Sequence, residues 1–154
     1  VKRFKFRLER VLQIFNKRRD QQKMAVHQAQ KNHDMKQEFI TDFKYHIVEQ
    51  ENRFYNLMRS GQATAVDCVS WENYIDSEYG MLERYKKELM ELQRILDEEK
   101  RKYLAIDKEC KTLEKLKDKK KGEFYFEQNL TVQKEMDEIA TQRTIKKLKT
   151  EGGF

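Results

Sequence analysis

Between residues 8 and 57 the apolar positions return at steps of three and four. One series at steps of seven runs Leu8, Phe15, Gln22, Ala29, Lys36, Phe43, Gln50 and Leu57; the interleaved one runs Leu12, Arg19, Val26, His33, Ile40, Ile47 and Phe54. A period near 3.5 belongs to helices wound on one another along a narrow apolar seam. The pattern predicts a first helix over residues 4–59. Its packing should loosen where polar residues enter the seam, around Arg19 to Gln22 and His33 to Lys36. A second seam sets Ile75, Leu82, Leu89, Leu96, Tyr103 and Cys110 beside Tyr85, Leu92, Ile106 and Leu113. Its exceptions are Glu78 and Glu99, and it predicts a second helix over residues 71–149.

The segment between them, SGQATAVDCVS at residues 60–70, is the one convincing break. Gly61 suits a helix C-terminal cap, where a positive φ is needed. Thr64 or Ser70 can cap the next helix. A capping box wants Glu or Gln three positions on, but Asp67 and Asn73 stand there, so no complete box is expected. A short connection makes two long helices antiparallel neighbours. The fold class is therefore all-α: a long antiparallel two-helix coiled-coil hairpin, one domain over residues 1–154. About a tip near residue 65, residue i should face roughly residue 130 − i. The C-terminal helix should then overhang the start of the first by some two dozen residues.

Composition agrees with a thin seam rather than a thick core. Charged residues reach 39%, apolar residues only 38%, and the chain has no proline and five glycines, too few chain-breakers for many tight turns. Nine Phe, seven Tyr and one Trp at helical spacings argue against disorder. There is no apolar run long enough to span a bilayer. The basic, amphipathic start lacks the apolar stretch and cleavage site of a signal peptide. Two distant cysteines, Cys68 and Cys110, suggest neither a disulfide framework nor a metal knuckle, and a cytoplasmic location is the expectation.

Charge is unevenly spread. Residues 1–23 hold nine basic and two acidic side chains and residues 100–121 hold ten and four, whereas residues 24–99 hold nine and fifteen. Folded on itself, the chain should have a basic open end and an acidic tip.

No residue pattern points to catalysis or a cofactor. No glycine-rich phosphate loop is present, and His27, His33 and His46 lack the spacing that puts two ligands on one helix face. Acid pairs lie beside lysines, as on a solvated helix face. The chain is read as a non-enzyme with no metal. Two features could make contacts instead. The run KTLEKLKDKKKGE, residues 111–123, is either a solvated face or a surface for an acidic partner. Near the tip gather Tyr55, Trp71, Tyr74 and Tyr79, of the type enriched at binding hot spots; the plainer reading is a small cluster closing the hairpin end.

FKFRLERVLQI (residues 4–14), WENYI (71–75), KTLEKLKDKKKGEFY (111–125) and KEMDEIA (134–140), in this order and spacing, resemble the FliJ family. These are components of the bacterial flagellar type III protein-export apparatus. The resemblance implies an antiparallel coiled coil like the central stalk of rotary ATPases. Its implied partners are a hexameric FliI-type ATPase ring, an FlhA-type export gate and export chaperones. It implies a cytoplasmic, monomeric hairpin that reaches the inner membrane at the flagellar base only through partners. The ring-facing residues would be Lys2, Arg3, Lys5, Arg7 and Arg10 with Lys115, Lys117, Lys119, Lys120 and Lys121. Tyr55, Trp71, Tyr74 and Tyr79 would be available to the gate. The competing readings are an injectisome stalk of the same class, a passive rod, and a basic coiled-coil nucleic-acid binder. Against the last, the two basic blocks meet only if the chain folds back, unlike the single block before a parallel zipper.

Overall fold

The computed structural model describes residues 2–152. The two elements are α1 (Glu9–Arg59) and α2 (Ala65–Glu151), and among the described residues there is no strand. The chain divides into two compact units, Val1–Lys17 with Asp107–Phe154, and Arg18–Ile106.

The second unit contains the turn. Gly61 adopts φ +70, as a helix C-terminal cap requires. Its N–H donates to the Met58 carbonyl at 3.3 Å, and the Ser60 N–H donates to the Asn56 carbonyl at 3.1 Å. Only residues 60–64 lie outside the helices, a shorter connection than the expected 60–70. The reason is a reciprocal cap that the sequence reading excluded. The Thr64 N–H donates to Asp67 Oδ2 at 3.0 Å, and the Asp67 N–H donates to Thr64 Oγ1 at 3.2 Å. Aspartate thus closes the box usually assigned to Glu or Gln, and α2 begins at Ala65. With both oxygens of the cap engaged, the Asp67 carboxyl is held below its ordinary value, chiefly by the Thr64 backbone N–H.

Beyond the turn the helices pair antiparallel. Ile40, Ile47 and Leu82 form a buried cluster, with Phe43, Tyr85 and Leu89 packed against it. Ile47 and Leu96 are each only 2% exposed; burying such a side chain contributes about 2 kcal/mol. The polar seam residues are not loose. Gln22 Nε2 donates to the Glu99 carbonyl at 3.0 Å and also to the Glu99 carboxylate. Lys36 pairs with Glu88, and His46 lies 3.6 Å from Glu78. One polar interruption of α1, Gln22, thus faces one of α2, Glu99, while Lys36 and Glu78 find partners beside the seam in Glu88 and His46. The residue numbers of facing partners add to 121 for Gln22 and Glu99, to 124 for Lys36 and Glu88, and to 130 for Glu51 and Tyr79, at or a little below the expected offset.

In the first unit Leu12 and Cys110 are buried. Glu9 pairs with Lys117 at 2.8 Å, and the Phe4 and Phe124 rings lie 5.7 Å apart. The helix expected from residue 4 starts instead at Glu9. Residues 2–6 are neither helix nor turn, and exposure alternates along them: Phe4, Phe6 and Leu8 are partly buried, Arg3, Lys5 and Arg7 exposed. In a helix Phe4 and Phe6 would point to nearly opposite sides; extended backbone turns them the same way. From residue 129 to 152 every described side chain of α2 is exposed.

Candidate interaction surfaces

Most of each basic block falls in the first unit, while Arg18, Arg19, Lys23, Lys100, Arg101 and Lys102 fall in the second. Within the first unit's bounds lie eighteen Lys and Arg against eleven Asp and Glu, formally +7, while the second unit has fifteen against sixteen, formally −1. Lys2, Arg3, Lys5, Arg7 and Arg10 are exposed, as are Lys115, Lys119, Lys120 and Lys121. Lys117 differs: it is partly buried and committed to Glu9. Lys120 reaches Glu123 at 3.5 Å within its own helix, an exposed pair that contributes less than about 1 kcal/mol and can yield to a partner. The cross-chain contacts of Phe4 and Glu9 with Phe124 and Lys117 set the two blocks side by side. The result is a cationic surface able to attract an acidic one over about a Debye length, 8–10 Å at moderate salt.

The aromatic residues singled out near the turn fall into two groups. Phe54, Trp71, Tyr74 and Tyr55 form a connected set, with Phe54 and Trp71 centroids 6.1 Å apart, Trp71 and Tyr74 edge-on at 5.8 Å, and Phe54 and Tyr55 at 6.3 Å. Trp71 is half-buried within it, while Tyr55 stays 59% exposed. Tyr79 stands outside this set. Its hydroxyl donates to the Glu51 carboxylate, which raises the phenol above its ordinary value.

A third cluster was invisible to the sequence reading. The Phe39 and Phe43 rings each meet Tyr85 edge-on, at 5.0 and 5.2 Å. Lys36 Nζ sits 4.7 Å from the Tyr85 centroid and 5.2 Å from that of Phe39. Lys36 looked like a flaw in the seam, yet it combines a cation–π contact with its Glu88 pair. The available clue was Phe39 beside the seam residue Ile40, with Phe43 and Tyr85 on the two seams, although the expected offset sets Glu91 and not Tyr85 opposite Phe39.

Among the described residues no group of His, Cys, Asp and Glu could hold a metal ion, and no helix is long and apolar enough to cross a membrane. Cys110 is fully buried and Cys68 partly so, and neither is joined in a disulfide.

Two paired helices with a cationic surface in one unit and a ring cluster in the other define an all-α protein of the helical-hairpin class, equipped for contact. The chain belongs to the FliJ family, whose model, described as Flagellar FliJ protein, matches residues 4–149. Membership makes it a component of the flagellar export apparatus. Comparison with curated proteins and with solved structures returns no match.

Proposed function

We propose that this protein is a central-stalk-like coiled coil of flagellar export, which binds a hexameric FliI-type ATPase ring through its basic unit. The observation that carries the reading is the meeting of two sequence-distant basic blocks in one unit. Arg3, Lys5, Arg7 and Arg10 with Lys115, Lys119, Lys120 and Lys121 contact acidic loops of the ring. Lys117 serves mainly to hold the segment around Glu9. Unequal contact with successive ATPase subunits favours ring assembly and hydrolysis. The Phe54–Trp71–Tyr74 cluster, with exposed Tyr55 at its margin, engages an FlhA-type gate, and export chaperones compete for exposed helix faces. The protein itself binds no nucleotide and meets the inner membrane only through these partners.

Reversing the charge of Lys119, Lys120 and Lys121 to glutamate tests the assignment. The expected outcome is loss of co-purification with the ATPase and at least about a tenfold weaker apparent affinity, with helix content unchanged by circular dichroism. Unchanged binding and unchanged stimulation of hydrolysis would place the ring contact elsewhere. Substituting Tyr55 and Trp71 by alanine should leave ATPase binding intact while weakening the gate interaction.

A further inference from the structure

The segment ahead of α1 carries a pattern that charge alone does not use. Residues 2–6 have no helix or turn, and the alternation of exposed Arg3 and Lys5 with partly buried Phe4 and Phe6 is the period-two signature of extended backbone; Arg7 and Leu8 continue the alternation in the turn that leads into α1. Phe4 anchors the segment on the Phe124 ring. The Phe6 carbonyl accepts from the Glu9 N–H at 3.1 Å, and among the described residues this is the only backbone–backbone hydrogen bond made by residues 2–7. Among the described residues the other N–H and C=O groups of this segment find no backbone partner. An extended segment with open edges is a template on which a strand can pair.

Two open grooves border the segment, one of about 730 Å³ and one of about 420 Å³. The larger runs past Arg3, Lys5 and Arg7 to Leu116, Lys120 and Phe124 on α2. It holds four cations against two carboxylates, Glu123 and Glu127; with Lys120 and Glu123 paired to each other, three cations stand against one carboxylate. Side chains on one face of a strand repeat at roughly 6.6–6.8 Å. Arg3 and Lys5 therefore form a ladder, with Arg7 following where the turn begins, that matches alternate residues of an incoming strand, and opposite charges directly across a strand pair are favourable.

We infer that residues 2–7 are a docking strand for an extended acidic peptide segment. The segment lies alongside in the larger groove by main-chain hydrogen bonds, with its carboxylates over Arg3, Lys5 and Arg7. Main-chain bonding supplies affinity and the alternate side chains supply selection, as in other strand-addition complexes. The inference goes beyond the ATPase reading, since it needs an acidic strand and not any particular protein to carry it.

The test uses the whole chain, isotope-labelled, titrated with a short blocked peptide alternating glutamate and valine. The expected result is slowed amide exchange at alternate residues of the 3–7 segment. Methylating alternate peptide nitrogens on the bonding edge should weaken binding at least about tenfold. The R3E/K5E/R7E variant should lose the acidic peptide and gain its lysine–valine counterpart. Because all three side chains are exposed, that variant keeps its fold. Affinity unchanged by nitrogen methylation, helical carbon shifts over residues 3–7 on binding, no binding at all, or tighter binding of a short single-stranded oligonucleotide would each overturn the inference. Peptide failure with ATPase co-purification intact sinks the docking strand alone. Peptide binding with ATPase co-purification absent sinks the ring assignment alone.

Discussion

Thr64 and Asp67 show how much one pair of side chains decides. Each supplies the other's backbone N–H with an acceptor, so α2 gains more than one and a half turns over the expected start. Replacing Thr64 by alanine should cost about 1 kcal/mol, read as a lower midpoint in urea. At Gly61 the positive φ penalises any Cβ although no atom lies within 4 Å of one; Gly61→Ala should cost about 1–2 kcal/mol. Asp67 also carries a pH signature. Asp34, held low first by Gln30 and then by His33, Glu99, held low first by Gln22, and Glu91, held low first by Arg94, share it. Folded values lowered from 3.8 for Asp and 4.5 for Glu mean that the unfolded chain takes up protons first. The stabilisation is complete above those unfolded values and is lost as pH falls through the lowered ones. A melting series should be flat near neutrality and fall below about pH 4.5, and Asp67→Asn should reduce that acid dependence.

At the scale of the helices, the seam was almost wholly legible. Every position of both interleaved series, polar ones included, is at least partly buried, because a repeat near 3.5 leaves a helix one way to meet its neighbour. Three things were not legible, each for a physical reason. The pairing of Gln22 with Glu99 and of Lys36 with Glu88 depends on the offset between helices, and a small error there replaces every polar partner. The box at Thr64 was missed because aspartate is a shorter acid than the usual glutamate. The start of α1 was missed because F-K-F-R-L fits both a basic amphipathic helix and an alternating strand; the ring of Phe124, far away in sequence, decides between them. For the surfaces, residue type marked the lysines and aromatic residues, but only the packing separates Lys117 and Tyr79, each tied to an acid, from their neighbours. Truncating Ile47 or Leu96 to alanine should cost about 2–5 kcal/mol. Replacing Gln22 and Glu99 together by leucine should hold or raise the melting temperature while loosening register, since a polar seam pair specifies alignment more than it stabilises. Cross-linking between cysteines placed at several offsets would read that loss as multiple products.

Across the molecule, two surfaces of different chemistry sit in separately packed units. Salt should weaken the ATPase complex steeply if the basic unit makes it, and should affect a contact built on Trp71 and Tyr55 little. The reciprocal cap beside Gly61 also orders events in time. Phe54 and Trp71 are separated by 17 positions, whereas Gln22 and Glu99 are separated by 77. Closing the nearer pair costs less entropy, and each closed pair shortens the loop to the next. The second unit is therefore a zipper whose first tooth is set at residues 60–67. Substitutions there should slow folding, those at Gln22 or Glu99 should mainly hasten unfolding, and a chain still emerging from the ribosome can begin closing as soon as Trp71 is free.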